Sequence, residues 1–102
     1  MDQTEILTGS LVEESWFTLE QVAGACAVEP DWLLAHLEAD LFPSVASAAG
    51  VWRFPAAALR RARSMRQLER DFDAVPELAA LVVDLQEELA RLRARLASLE
   101  PR

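Results

Sequence analysis

Lysine and tyrosine are absent from this chain, and cysteine and histidine occur once each. A lone Cys26 excludes an internal disulfide and fits a reducing compartment. One thiol and one imidazole, His36, fall short of the three or four ligands a zinc site requires. They also lack the orienting third group of a Cys–His nucleophile. Only Gly9, Gly24 and Gly50 are available, which leaves no glycine-rich phosphate loop. Carboxylates are plentiful, but no pair is singled out for acid–base work. No apolar run approaches the 18 residues of a membrane span, and no charged n-region with an apolar h-region opens the chain. Together these absences lead us to expect a cytoplasmic protein that is not an enzyme, with no cofactor, metal or membrane association.

A further absence concerns charge. Residues 1–52 contain nine acids (Asp2, Glu5, Glu13, Glu14, Glu20, Glu29, Asp31, Glu38 and Asp40) and not one base. All ten cations are arginines between Arg53 and Arg102, beside eight further acids, which leaves a net charge of −7. A DNA-binding face needs cations, because neutralising phosphates releases counterions. The N-terminal half has the opposite sign, and suits a basic protein partner instead.

Of the 102 residues, 52% are apolar, enough for a folded domain with a modest core. Residues 1–74 read as one acidic domain and residues 75–102 as a long helical extension. Near the start, Ile6-Leu7 and Leu11-Val12 flank Thr8-Gly9-Ser10, a pattern compatible with a short strand and turn or an ordered arm. Trp16-Phe17 reads as a brief extended segment. Thr18 and Gln21 have capping-box spacing, and Leu19, Val22, Ala23 and Cys26 recur at helical spacing behind them. That spacing puts Cys26 on the inner face. A turn is expected at Ala27-Val28-Glu29, and Pro30 suits the first position of a second helix. Trp32, Leu33, Leu34 and Leu37 give this helix its apolar side, with Trp32 weighed as core before contact. His36 is expected at its surface. Helix, tight turn, helix is the shape of a DNA-reading motif, yet this one carries Glu20, Glu29, Asp31, Glu38 and Asp40 and no cation.

Pro43 blocks a helix after Asp40. Val51-Trp52-Arg53-Phe54 is rich in strand formers, so Leu41–Phe54 reads as a β-hairpin, or wing, with its tip in Ser44–Gly50 and Trp52 beneath it in the core. Pro55 opens a third helix to about Arg70, whose apolar stripe is Ala58, Leu59, Ala62, Met65 and Leu68, with Phe72 as a candidate extension. Arg60, Arg61, Arg63, Arg66 and Arg70 lie mainly off that stripe. They read as a solvated face, with phosphate contact or pairing to the acidic half as alternatives. Pro76 restarts a helix to about Leu99, on the order of 35 Å long. Its Leu78, Leu81, Leu85, Leu89, Leu92, Leu96 and Leu99 are spaced 3, 4, 4, 3, 4 and 3, a heptad-like seam with one stutter near Leu89. The seam fits a homodimeric coiled coil; folding back onto its own domain is the alternative.

The order helix–turn–helix, wing, third helix, long helix resembles the MerR-type winged-helix plan. Gly50-Val51-Trp52-Arg53-Phe54, followed by Ala58-Leu59-Arg60, is similar to that family's pattern at the wing end. The MerR arginine of helix two has no counterpart in Trp32-Leu33-Leu34-Ala35-His36. A nearer resemblance is to the CbpM chaperone-modulator family, a branch of that superfamily. It covers roughly residues 16–97 and is carried by Phe17-Thr18, the acidic turn into helix two, Val51-Trp52-Arg53-Phe54, the Pro76 start and the leucine-rich last helix. The resemblance implies a mainly α fold, a MerR-like winged helix-turn-helix with a small β-wing and a long C-terminal dimerisation helix. It also implies a dimeric regulator that binds the J-domain of a CbpA-like co-chaperone and so inhibits stimulation of DnaK. The residues expected to meet that partner are Glu20, Glu29, Asp31, Trp32, His36, Glu38 and Asp40. A MerR-type transcription regulator is the competing expectation.

Overall fold

A computed structural model describes residues 15–99; the expectation for the first fifteen residues falls outside them save for Ser15. The fold is mainly helical, with four helices and a small antiparallel sheet of three strands. Strand β1 (Trp16–Phe17) runs straight into helix α1 (Leu19–Cys26). The capping box forms as expected. Thr18 Oγ1 accepts from the Gln21 amide at 3.0 Å, and Gln21 Oε1 accepts from the Thr18 amide at 2.9 Å. Helix α1 ends at Ala27, which takes the left-handed conformation at φ 55° and lets the Val28 amide donate back to the Ala23 carbonyl. Helix α2 (Pro30–Glu38) follows at once, with Pro30 in its first turn.

After α2 the chain turns through Asp40, again at positive φ, and reaches a hairpin of β2 (Ala46–Ala48) and β3 (Val51–Pro55). The hairpin is shorter than Leu41–Phe54, and its tip is the pair Ala49-Gly50. Both residues have positive φ, as a two-residue turn matched to strand twist requires. Strand order is β1–β3–β2, with Phe17 opposite Phe54 and Ser47 opposite Trp52. Trp52 is half-buried against the core and not enclosed by it.

Helix α3 (Ala56–Phe72) and helix α4 (Pro76–Leu99) form an antiparallel hairpin through a left-handed Asp73. The core gathers Phe17, Val22, Leu33, Leu37, Phe42, Phe54, Leu59 and Met65 from every element but β2 and α4, and the latter adds Ala79, Ala80 and Val83. Phe54, Leu33, Met65 and Val22 are the largest fully enclosed side chains. Each contributes about 1.5–3 kcal/mol by leaving water. Phe54→Ala is the single change that would damage the fold most, at about 3–5 kcal/mol, since it empties the junction of sheet and helices.

One expectation about α3 is corrected. Arg61 does not lie on a solvated face: it is 5% exposed. Its position, three after Ala58 and four before Met65, puts it on the stripe that meets α4. There its Nε donates to the Leu41 carbonyl at 2.8 Å and its Nη1 lies 2.7 Å from Asp84. Arg61 thus pairs with the C-terminal helix, and Arg70 pairs with Asp71 of its own helix; among the described residues no α3 arginine pairs with a carboxylate of the acidic half.

Candidate functional site

The five acids of the helix–turn–helix stretch all stand at the surface. Glu20 is in the first turn of α1 and Asp31 in the first turn of α2, where the helix dipole favours them. Glu29 precedes α2 but its carboxylate makes no capping bond. Glu38 and Asp40 lie at the far end of α2. None of the five enters an ion pair with another described residue. They form an acidic, unneutralised surface on two short helices and the turns that bound them.

Trp32 and His36 depart from that picture. His36 was expected at the surface and is instead 4% exposed. It sits between Leu33 and Leu37 on the face of α2 turned inward. A buried imidazole needs partners for both nitrogens, and it has them. Nδ1 lies 2.7 Å from the Trp32 carbonyl and Nε2 lies 2.7 Å from Glu69 Oε2 on α3. A carbonyl can only accept, so Nδ1 donates. The second oxygen of Glu69 accepts from the Trp32 indole N–H at 3.1 Å. The Trp32 ring stacks on His36 with centroids 3.8 Å apart. As a result His36 cannot touch a partner directly. It fixes the half-buried Trp32, one edge of which stays open to solvent.

Two residues that organise this surface, Glu69 and Arg61, were not among the expected site residues. Their signal was positional: Glu69 stands four after Met65 and Arg61 four before it, so both are in register with the buried stripe of α3.

Between the α1–α2 turn and α3 lies a cleft of about 350 Å³, lined by Ala27, Val28, Glu29, Trp32 and Arg66. A larger groove of about 510 Å³ runs between α3 and α4 past Arg60, Arg61, Glu87 and Arg91. Much of its charge is already internally paired, Arg61 to Asp84 and Glu87 and Arg91 to Glu88. Cys26 is buried beside the Leu59 carbonyl, and loss of water raises its thiol above the ordinary value, with Arg63 acting in the opposite direction.

Helix α4 packs on α3 through Ala79, Ala80 and Val83, which turns its leucines away. Leu78, Leu81, Leu85, Leu89, Leu92, Leu96 and Leu99 are 45–78% exposed, and Phe72 and Val75 continue the same apolar exposure through the turn before α4. The other described residues leave this seam exposed. Among the described residues no helix is long and apolar enough to cross a membrane, and no three His, Cys, Asp or Glu side chains cluster to hold a metal ion. No family model, curated protein or solved structure matches the chain.

Proposed function

We propose that this protein is a non-catalytic, cytosolic chaperone modulator with a winged helix-turn-helix domain. It binds the J-domain of a DnaJ-like, CbpA-like co-chaperone and thereby blocks stimulation of DnaK. One observation carries the reading: α1, α2 and the turns that bound them expose five carboxylates that make no ion pair among the described residues, and the stretch has no arginine of its own. Such a surface repels a phosphate backbone and attracts the basic face of a J-domain, speeding encounter at low salt. The leucine seam of α4 supports a homodimer, since so long an apolar stripe is unstable in water unless a second copy covers it.

The deciding experiment mixes the protein with a purified J-domain at low and high salt. A complex at low salt that weakens as salt rises is expected, and absence of a complex at low salt would sink the reading. Reversing Glu29, Asp31 and Glu38 together to lysine should slow association.

The exposed Arg53, Arg60 and Arg63 favour a second reading, a MerR-type DNA-binding regulator. A salt-sensitive gain of affinity for one operator in a gel shift would select it.

A further inference from the structure

At the border of the acidic surface stands Arg66, a cation with no partner among the described residues. Arg66 projects from α3 into the cleft beneath the α1–α2 turn and is half-buried there. Among the described residues it makes no hydrogen bond and no ion pair. Its cleft neighbours are apolar (Ala27, Val28 and the ring of Trp32), apart from the exposed Glu29. Trp32 is held in place by the Glu69 bond and by stacking on His36, so this wall is formed before any partner arrives. A rigid aromatic beside a guanidinium is the composition of an interface hot spot.

We infer that this cleft receives an aspartate or glutamate side chain of the partner protein, its carboxylate on Arg66 and its apolar neighbour against Trp32 and Val28. The inference rests on the reading of α1 and α2 as a protein-docking face, and it refines that reading. The partner would be a basic surface interrupted by one acid, and the matched acid sets the register of docking. A guanidinium offers the two parallel donors that a carboxylate accepts, and the apolar walls limit screening by water.

The test compares Arg66→Gln with the unaltered protein for binding a purified J-domain. General charge attraction predicts that removing a cation from an acidic face strengthens binding to a basic partner. The inference predicts the opposite sign, a loss of about tenfold or more, because Arg66 would be paired in the complex. Arg66→Lys, which keeps the charge but loses the forked geometry, should fall between the two. A Trp16→Phe/Trp52→Phe form, in which Trp32 alone fluoresces, should change its emission on binding in the Arg66 protein. Equal or tighter binding by Arg66→Gln, with an unchanged melting temperature, would overturn the inference and leave the docking reading standing. If the unaltered protein does not bind the J-domain, both fall.

Discussion

Glu69 on α3 bonds with one carboxylate oxygen to His36 Nε2 at 2.7 Å and with the other to the Trp32 indole at 3.1 Å. One partly buried side chain thereby sets the attitude of α2 against the core and the exposed edge of Trp32. Removing the carboxylate would leave an imidazole that is 4% exposed and an indole N–H without their acceptor. Glu69→Ala should cost about 2–4 kcal/mol in urea unfolding, because unpaired buried polar groups lose their full solvation. Glu69→Gln keeps an amide oxygen to accept from the indole N–H and should cost about half as much. An equal loss from both would mean that packing, not the bonds, is what Glu69 supplies.

Arg61 and Asp84 join α3 to α4, and the two ends of the pair differ in burial. The arginine side chain is 6% exposed and the aspartate 56%. Arg61→Ala strands the Leu41 carbonyl and empties the space of a buried side chain, and should destabilise by about 2–3 kcal/mol. Asp84→Asn should cost only about 0.5 kcal/mol, since water solvates that end and Glu87, 3.7 Å away, remains. Thermal melts of the two variants, run side by side, check the asymmetry.

These two clusters also mark where the sequence stopped being legible. The capping box at Thr18, the turn into Pro30, the β3 strand and the α4 helix all depend on neighbours within a few residues, and local chemistry names them. Burial of His36 depends on Glu69, thirty-three positions away. Helical periodicity alone assigns a polar side chain to the outside, because burying it is unfavourable until a distant partner is known to be there. Arg61 failed the same way, through the Leu41 carbonyl and Asp84. The acidic surface was legible as composition; the cleft was not, since Arg66 enters it only once α3 has packed across α2.

Helix α4 gives a prediction about association. Leu89 and Leu92 are about half exposed and stand outside the hydrophobic core. Changing both to glutamate should leave the helical signal unchanged at low concentration while shifting sedimentation from dimer to monomer. A variant that sediments like the unaltered protein would remove the leucine seam from the assembly.

The hairpin tip places Ala49 at φ 53° immediately before Gly50 at φ 75°. An L-residue other than glycine or asparagine pays a steric penalty there. Ala49→Asn, which makes the Asn-Gly pair preferred in such turns, should stabilise by about 0.5–1 kcal/mol, or roughly 3–6 °C in Tm. Ala46→Asn, on the regular part of β2, should not. Calorimetry of the pair separates a conformational gain from a general effect of asparagine.

Burial raises the Cys26 thiol, and the absence of lysine and tyrosine makes that shift unusually easy to read. Because the folded value lies above the unfolded one, the fold prefers the neutral thiol. Below the ordinary value of 9.0 the thiol is neutral in both states and the stability is fully present. As pH climbs past that value the unfolded chain ionises first, and stability falls until the folded value is passed, by at most about 1.4 kcal/mol per pH unit. No lysine or tyrosine titrates in that window, and arginine stays charged throughout. Urea midpoints measured from pH 8 to pH 11 should therefore decline for the unaltered protein and stay nearly flat for Cys26→Ala. The folded protein should also react slowly with iodoacetamide at pH 8 and quickly once unfolded, since the thiolate is the nucleophile and burial suppresses it. Rapid alkylation of the folded state would show that Cys26 is reached without unfolding, and would contradict its enclosure between α1 and α3.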